Sequence, residues 1–355
     1  MQRNIMKGMA WFCGILCASS MSVILYLSMN KTIVISEVAQ DEMVENTQDN
    51  APPEPDREQE PKENVLTFVL GKSDTSYLRV PLPEKCGAED IVIENHYMDQ
   101  ELCVVINEAK EKFYVDHAIS GNRDMVRQGL YEATQDGVRL TFHLTGIYEC
   151  HTILEGNDLY ISFLSPREVY DRIVVIDPAW GGKNAGVSAN GLMEKDINLN
   201  VAKKLKEKLD KTDIKAYYTR MDDVYPDEEG RVKLANETRA DMYIRIQTDF
   251  NDDNSIYGTT TLYNGDYFIP GFGSVELADA LEREVVTSIK GKALGLSAAS
   301  VNDYALRNVT VPAAAVKSGC ITNKQEAILL GREDYQEKIA EGIYQAILKI
   351  YEENF

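Results

Sequence analysis

Histidine is scarce in this 355-residue chain and is absent from its second half. The sequence holds four histidines in all: His96, His117, His143 and His151. Zinc sites in proteins take their ligands from histidine, cysteine, aspartate and glutamate. After residue 151 the sequence offers only carboxylates and a single cysteine, Cys320. This composition disfavours a catalytic zinc site in the second half of the chain.

Positive charge is also scarce. The chain has 37 lysines and arginines against 57 aspartates and glutamates, a formal net charge of −20. Such a charge disfavours nucleic acid and anionic lipid headgroups as electrostatic partners. Two catalytic motifs are missing as well. Residues 181–183, GGK, lack the remaining positions of a phosphate-binding P-loop, and no G-x-S-x-G nucleophile elbow is present.

Residues 9–29 lack any charge, which is unusual in this charged chain. At about 1.5 Å per residue, a helix of this length spans a bilayer core of roughly 30 Å. Arg3 and Lys7 precede the segment, and only Lys31 follows it closely. The pattern predicts a single-pass anchor, a cytoplasmic stub at residues 1–8, and an extracytoplasmic remainder at the cell membrane. A cleaved signal peptide is the alternative, because CASS offers small residues.

Residues 30–63 form a predicted acidic, proline-rich linker. From residue 37 onwards the segment has ten acidic residues, two basic residues and four prolines. Such a composition cannot bury enough apolar surface to fold, so an extended tether is expected.

Residues 64–166, called the β-rich region below, hold short runs of β-branched and aromatic residues. The runs are VLTFVL, YLRVPL, DIVIEN, CVVINE, KFYVDHA, VRLTFHL and DLYISFL. Turn signals separate them, and together they predict a small all-β domain, a sandwich or half-barrel. Four cysteines outside the predicted anchor would meet an oxidising exterior, and their pairing stays open: Cys86, Cys103, Cys150 and Cys320.

Residues 171–355, called the α/β region below, alternate strand-like and helical stretches. The strand-like runs are RIVVID, KAYYTR, MYIRIQT, TTTLYN and AAAVKSG. Apolar stripes at helical spacing mark the buried faces of two helices: Ile197, Val201, Leu205 and Leu209, then Ile339, Ile343, Ile347 and Ile350. The predicted fold is α/β, a twisted, mostly parallel sheet with helices on both faces.

The α/β region resembles the zinc-dependent N-acetylmuramoyl-L-alanine amidases of the amidase 3 family. Seven segments carry the resemblance: VVIDPAWGGKNAG, GLMEKDINLNVAKKLKEKL, YYTR, GRVKLANETRADMYIRIQ, ELADALEREV, YALRNVTVPAAAVKSGCITNKQEA and YQEKIAEGIYQAI. The resemblance implies an amidase fold and cleavage between N-acetylmuramic acid and the first L-alanine of the peptide stem. The end of the β-rich region, VRLTFHLTGIYECHTILEGNDLYISFL at residues 138–164, resembles the end of an AMIN domain and is called the AMIN-like stretch below. This resemblance implies binding to cell-wall polymer; a generic β spacer is the alternative.

The family's working residues are changed at three of four positions. The zinc histidine of the D-P-G-H-G-G loop corresponds to Trp180, and the histidine of the S-I-H tripeptide corresponds to Gln247. The zinc glutamate is retained as Glu194, and the catalytic glutamate of V-E-x-G-F corresponds to Lys317. We therefore expect no catalytic residue, no metal ligation and no zinc cofactor, since indole has no lone pair for a metal.

The changed positions suggest a packed, metal-free cluster. In this hypothesis Lys317 balances the charge of Glu194, Trp180 fills the space of ligand and water, and Gln247 bridges them. The alternative is drift, with Lys317 pointing to solvent. Arg307 corresponds to a family position close to the cleft and completes the predicted degenerate site.

Other charged residues nearby receive structural interpretations. Arg220 and Arg231 are expected in structural ion pairs rather than substrate contacts. Asp249, Asp252 and Asp253 are expected in a solvated acidic turn, with an oxygen-only cation site as the alternative.

The sequence favours a membrane-anchored, extracytoplasmic, amidase-like protein of the cell wall that is catalytically inactive. It would act by binding peptidoglycan or a cell-wall enzyme, with no role for nucleic acid. The alternative is an active N-acetylmuramoyl-L-alanine amidase with an unusual metal site, using ligands from elsewhere. A purely structural ectodomain is the third reading.

Overall fold

The computed structural model describes residues 35–38, 64–70 and 76–355. The predicted anchor at residues 9–29 and the acidic stretch at 39–63 lie outside these residues. Within the described part of the chain, no helix has both the length and the apolar character needed to cross a bilayer.

Two sheets make up most of the β-rich region. The first has six strands: β1 (Ile35–Val38), β5 (Ile91–His96), β6 (Glu101–Asn107), β9 (Gly137–Leu144), β8 (Val126–Ala133) and β2 (Asn64–Val65), in that spatial order. The second has five: β10 (Glu149–Glu155), β11 (Asp158–Leu164), β4 (Tyr77–Pro81), β7 (Ile119–Gly121) and β3 (Phe68–Leu70). In β9 every second side chain, from Val138 to Leu144, is buried, as expected for a strand with one face on a core.

Strand β1 lies in the segment predicted as linker. It pairs parallel with β5, with Ile35 opposite Ile93 and Val38 opposite His96. The predicted linker therefore contains a paired strand, which overlaps the first two residues of the acidic segment that begins at residue 37.

One element of the β-rich region differs from the sequence-based expectation. KFYVDHA was expected as a strand, but α1 (Glu111–Asp116) occupies it, and Tyr114 is its only buried residue. Its apolar residues are adjacent rather than alternating, so they do not define one face of a strand. The four cysteines of the described residues, Cys86, Cys103, Cys150 and Cys320, are free thiols, so none of the pairings that the sequence left open forms among them.

A six-stranded mixed sheet is the centre of the α/β region. Its spatial order is β15 (Lys215–Tyr218), β12 (Ile173–Pro178), β16 (Met242–Asp249), β19 (Ala313–Cys320), β17 (Thr259–Tyr263) and β18 (Ala293–Ala298). Strand β17 runs antiparallel to β19, and the other neighbouring pairs are parallel. The expectation of a mostly parallel sheet is confirmed. A two-stranded hairpin, β13 (Ser188–Ala189) and β14 (Leu192–Met193), stands beside it.

Helices cover both faces of this sheet. On one face lie α3 (Glu194–Leu209), α5 (Ser274–Ile289) and α8 (Glu333–Asn354), and their apolar side chains form a single core with the strands. On the other face lie α4 (Glu228–Glu237) and α6 (Tyr304–Asn308). The short helices are α2 (Pro166–Val169) and α7 (Lys324–Leu330). Both predicted apolar stripes, on α3 and α8, are buried.

The β-rich and α/β regions share a buried cluster. Tyr97 and Ile147 of the first pack with Ile173, Val175 and Tyr217 of the second. The β-rich region therefore contacts the sheet of the α/β region near its β15 edge. Strand β18 forms the opposite edge of that sheet.

Candidate functional site

The changed family positions meet where three parallel strands end. Trp180 follows β12, Gln247 lies near the end of β16, and Lys317 lies near the end of β19. Glu194 is the first residue of α3. In an open α/β sheet, ligands bind outside the carboxyl ends of the strands, so the fold places these residues where a site belongs.

The loop that carries Trp180 is tightly constrained. Trp180 has a φ of 67°, in the left-handed region that bulky residues rarely enter. The fully buried Arg220 donates from Nη2 to the carbonyl oxygens of Ala179, at 3.0 Å, and Lys195, at 2.9 Å. Burial lowers the pKa of Arg220 to about 10. The ion pair expected for Arg220 is wrong: the hydrogen bonds of its guanidinium go to backbone carbonyls, which gives it a structural role of a different kind.

Glu194 is buried, with 2% of its surface exposed. Its Oε2 accepts from the backbone N–H of Val187 at 3.1 Å, and its Oε1 from that of Thr248 at 3.0 Å. Burial raises the pKa of this carboxyl, although the hydrogen-bond donors around it act in the opposite direction. The charge of Glu194 is therefore met by uncharged donors.

Trp180 lies against Glu194, and Gly186 touches both. A methyl group added at Gly186 would lie 2.4 Å from Cδ1 of Trp180 and 2.7 Å from Oε2 of Glu194. Gly186 also has a φ of 64°. The indole fills the space beside the carboxylate so closely that only glycine fits opposite it.

The expectation that Lys317 balances Glu194 is wrong. Its Nζ lies 3.0 Å from Oδ1 of Asp249, and the two side chains are 22% and 19% exposed. Lys317 is opposite Gln247 in the strand register, and Asp249 follows on the same strand face. Asp249 is therefore the carboxylate with which the Lys317 ammonium pairs. Nor does Gln247 act as a bridge, because its Oε1 has no hydrogen-bond partner among the described residues.

Arg245 is the residue of this site that sequence reasoning missed. Its guanidinium stands over the Trp180 ring, 5.9 Å from the centroid, and forms two hydrogen bonds with Glu228, at 2.9 and 3.1 Å. The signal was available: Arg245 occupies the serine position of the S-I-H tripeptide, where a bulky cation needs a partner.

The buried carboxylate of Asp177 makes a further contact with Arg245. Asp177 lies 3.4 Å from Nε of Arg245 and also contacts Arg231, Thr219 and Tyr243. Burial raises the pKa of Asp177, but the two arginines outweigh it and hold that pKa well below its usual range. The ion pair expected for Arg231 is confirmed.

Arg307 is not part of this cluster, contrary to expectation. Its Nε pairs with Oδ2 of Asp266 at 2.5 Å. Asp266 follows β17, which runs antiparallel to β19 and pairs Thr260 with Lys317. The loop after β17 therefore lies towards the other end of β19, away from Lys317.

The residues at this site do not fit a zinc ion. Of the three family ligand positions only Glu194 is a carboxylate, and both of its oxygens already accept backbone hydrogen bonds. The indole N–H of Trp180 is a donor only. Across residues 64–70 and 76–355, no three His, Cys, Asp or Glu side chains form a group that could hold a metal.

The α/β region is similar to known proteins. The family described as N-acetylmuramoyl-L-alanine amidase matches residues 174–349. A germination-specific N-acetylmuramoyl-L-alanine amidase of Bacillus subtilis (strain 168) is 31% identical over 198 residues, which is 51% of this chain and 81% of that protein. The uncharacterized protein YqiI of the same strain is 32% identical over 182 residues, 51% of this chain and 86% of that protein.

A solved structure is also similar. The N-acetylmuramoyl-L-alanine amidase from Clostridium difficile 630 is 32% identical, with a TM-score of 0.48, and the match covers 52% of this chain and 98% of that one.

Proposed function

The chain belongs to the N-acetylmuramoyl-L-alanine amidase family, and we propose that it is a non-catalytic member that binds peptidoglycan without cutting it. The observation that carries the proposal is the contact of Trp180 with Glu194. It places an indole beside the retained carboxylate, where the family would hold a metal ion.

The chemistry of amide hydrolysis lacks its essential groups at this site. A zinc ion would lower the pKa of the attacking water and polarise the amide carbonyl, but the residues present do not fit one. The family's general base is replaced by Lys317, whose ammonium pairs with Asp249. An ammonium has donors and no acceptor, so it cannot take a proton from water.

Binding needs less than catalysis does. In this proposal the loops at the strand ends retain the family cleft as a binding surface. Arg220 fixes the backbone beside it through the carbonyl of Ala179, and Arg245 is fixed by its pair with Glu228. Peptidoglycan offers amides, hydroxyls and carboxylates to such a surface. The predicted anchor at residues 9–29 would keep the cleft at the outer face of the membrane, and the AMIN-like stretch would add a second contact with the polymer.

The test uses the full-length chain, purified in detergent, and three measurements. Zinc content is measured after incubation with zinc and desalting, muropeptide release is measured on purified sacculi, and binding is measured by cosedimentation with the same sacculi. We expect no retained zinc, no release and clear cosedimentation. Release of muropeptides would refute the non-catalytic role. Failure to cosediment would refute polymer binding and direct the search to a cell-wall enzyme as partner.

Two variants locate the binding. Trp180→Ala and Gln247→Ala alter the cleft, whereas Glu353→Ala changes an exposed residue of α8, outside both the cleft and the AMIN-like stretch. We expect weaker cosedimentation for the first two variants only. Equal binding by all three would place the contact outside the cleft.

A further inference from the structure

The mixed sheet of the α/β region ends differently at its two edges. At one edge, β15 begins with Lys215, which is enclosed by three tyrosine rings, with Nζ 4.8 to 5.2 Å from their centroids. Two of those rings come from the chain before β12. At the other edge, β18 pairs with β17, and no other strand of the described residues pairs with it.

Strand β18 carries few of the features that protect sheet edges. Proteins block exposed edges with charged side chains, proline, bulges or covering segments. The ten residues from Ala293 to Asn302 include no charge and no proline. Most of β18 is exposed, with Leu294 at 40%.

Two partial protections are present at the start of the strand. The register shifts between Thr259 and Thr260, which leaves Leu294 without an opposite residue. The N–H of Gly295 donates to Oε1 of Glu282 at 2.8 Å. From Leu296 to Ala298 the strand is regular, and within residues 35–38, 64–70 and 76–355 no strand pairs with its outer side.

Exposed apolar side chains continue this surface. Tyr263 is opposite Ala298, so the loops that follow β17 and β18 leave the sheet at the same end. They carry Phe268, which is 90% exposed, and Val301, which is 82% exposed. The pair between Arg307 and Asp266 joins the two loops through α6. We call β18 together with Phe268 and Val301 the β18 surface.

We propose that the β18 surface pairs with the same surface of a second copy, the two strands running antiparallel about a two-fold axis. An open strand edge accepts another extended strand through main-chain hydrogen bonds. An uncharged strand suits an uncharged partner, and β18 itself meets that requirement.

Charge at the ends of the strand favours the antiparallel arrangement. Lys290 and Lys292 precede β18, and Asp303 follows it. Antiparallel pairing brings the basic end of one copy towards the acidic end of the other, whereas parallel pairing would bring like charges together. The contact is isologous and closes as a dimer, with a continuous sheet of twice six strands.

The first test measures the oligomeric state of the full-length chain in detergent by light scattering across a concentration series. We expect a monomer–dimer equilibrium. The double change Ser297→Lys and Ala298→Lys puts charges on two exposed edge positions, and should weaken the dimer at least tenfold. The matched control is Asn200→Lys, at an exposed position of α3, which should leave the dimer unchanged. Thermal melts verify that all variants are folded.

The second test traps the contact in membranes. Cys13 and Cys17 are first replaced by serine, because cysteines in the predicted anchor could join two copies by themselves. Ser297→Cys in this background should give a crosslinked dimer with a short bismaleimide, and Asn200→Cys should not.

A monomer at every concentration, with no crosslink at Ser297→Cys, would overturn the proposal. So would a dimer that the two lysines leave intact, since the contact would then lie elsewhere. Hydrogen-exchange protection of β18 in a strictly monomeric chain would show that another segment of the same chain covers the edge, and would equally overturn it.

Discussion

Two buried glutamates, Glu149 and Glu194, are held in opposite ways. Glu149, where the β-rich region meets the α/β region, lies 3.6 Å from the ammonium of Lys215. It also accepts from the hydroxyls of Tyr97 and Tyr217. Glu194, at the strand ends of the α/β region, has only uncharged donors around it. Each carboxylate is more than nine-tenths buried.

The difference indicates what each site is for. A buried carboxylate is costly unless a cation or hydrogen bonds compensate it. Glu149 has both, and together they join the two regions of the chain. Glu194 has the position that the family resemblance assigns to a metal ligand, and uncharged donors compensate its charge.

The largest effect is expected from giving Glu194 a cation, because this would remove the difference between the two glutamates. The double change Trp180→His and Gln247→His restores the three ligands of the family pattern, and should convert a chain that we expect to retain no zinc into one that binds roughly one ion. Metal content after desalting checks this, and adding Glu194→Gln should abolish the gain. A folded double variant without zinc would show that the backbone no longer holds ligand geometry.

The second-largest effect is expected from removing the Glu149 carboxylate, which pairs with Lys215. Glu149→Ala leaves the Lys215 ammonium buried without its carboxylate, and should cost about 3–5 kcal/mol in unfolding free energy. Glu155→Ala, at an exposed position of the same strand, is the control and should cost far less. Chemical denaturation monitored by tryptophan fluorescence and circular dichroism gives the values. A loss below about 1 kcal/mol would mean that the ion pair does not join the regions.

The contribution of Glu194 to the free energy of unfolding should depend on pH. Because burial raises the pKa of Glu194 above its ordinary value of 4.5, its protonated form is favoured in the folded state. The resulting stability is fully present below the ordinary pKa and is lost as pH rises through the higher folded pKa. Each unit of difference corresponds to about 1.4 kcal/mol. Glu194→Gln should remove this decline. Identical pH profiles for the two proteins would contradict the raised pKa.

The smallest effect is expected at Lys317. Its pair with Asp249 is partly exposed, and such pairs contribute about 0–1 kcal/mol. A double-mutant cycle of Lys317→Met and Asp249→Asn should give a coupling energy in that range. A parallel cycle of Lys317→Met and Glu194→Gln should give none, and a larger coupling there would revive the charge balance that the geometry contradicts.

Local patterns predicted the helices of the α/β region well. The stripes on α3 and α8 are buried as expected, because burial on one helix face is written in the spacing of apolar residues. Strand β8, VRQGLYEA, and strand β18, ALGLSA, were missed. They carry few β-branched residues and owe their extended form to pairing with β9 and β17.

The site was predictable in position but not in its contacts. The family motifs place Trp180, Glu194 and Gln247 at the strand ends, where the structure has them. Whether Lys317 meets Glu194 or Asp249 depends on strand register and side-chain reach, which a motif does not specify. The role of Arg245 depends on Glu228, which is 17 residues away in sequence and comes close only through packing of α4.

The pairing of β1 with β5 has a mechanical consequence. Residues 39–63 connect two strands of one sheet, β1 and β2, so they do not lie between that sheet and the predicted anchor at residues 9–29. If residues 9–29 cross the membrane as predicted, only residues 30–34 intervene before β1, a span of at most about 18 Å when extended. A force on the anchor would then load the β1–β5 hydrogen bonds in shear. The β-rich region would lie close to the lipid surface, without a long flexible linker between the two.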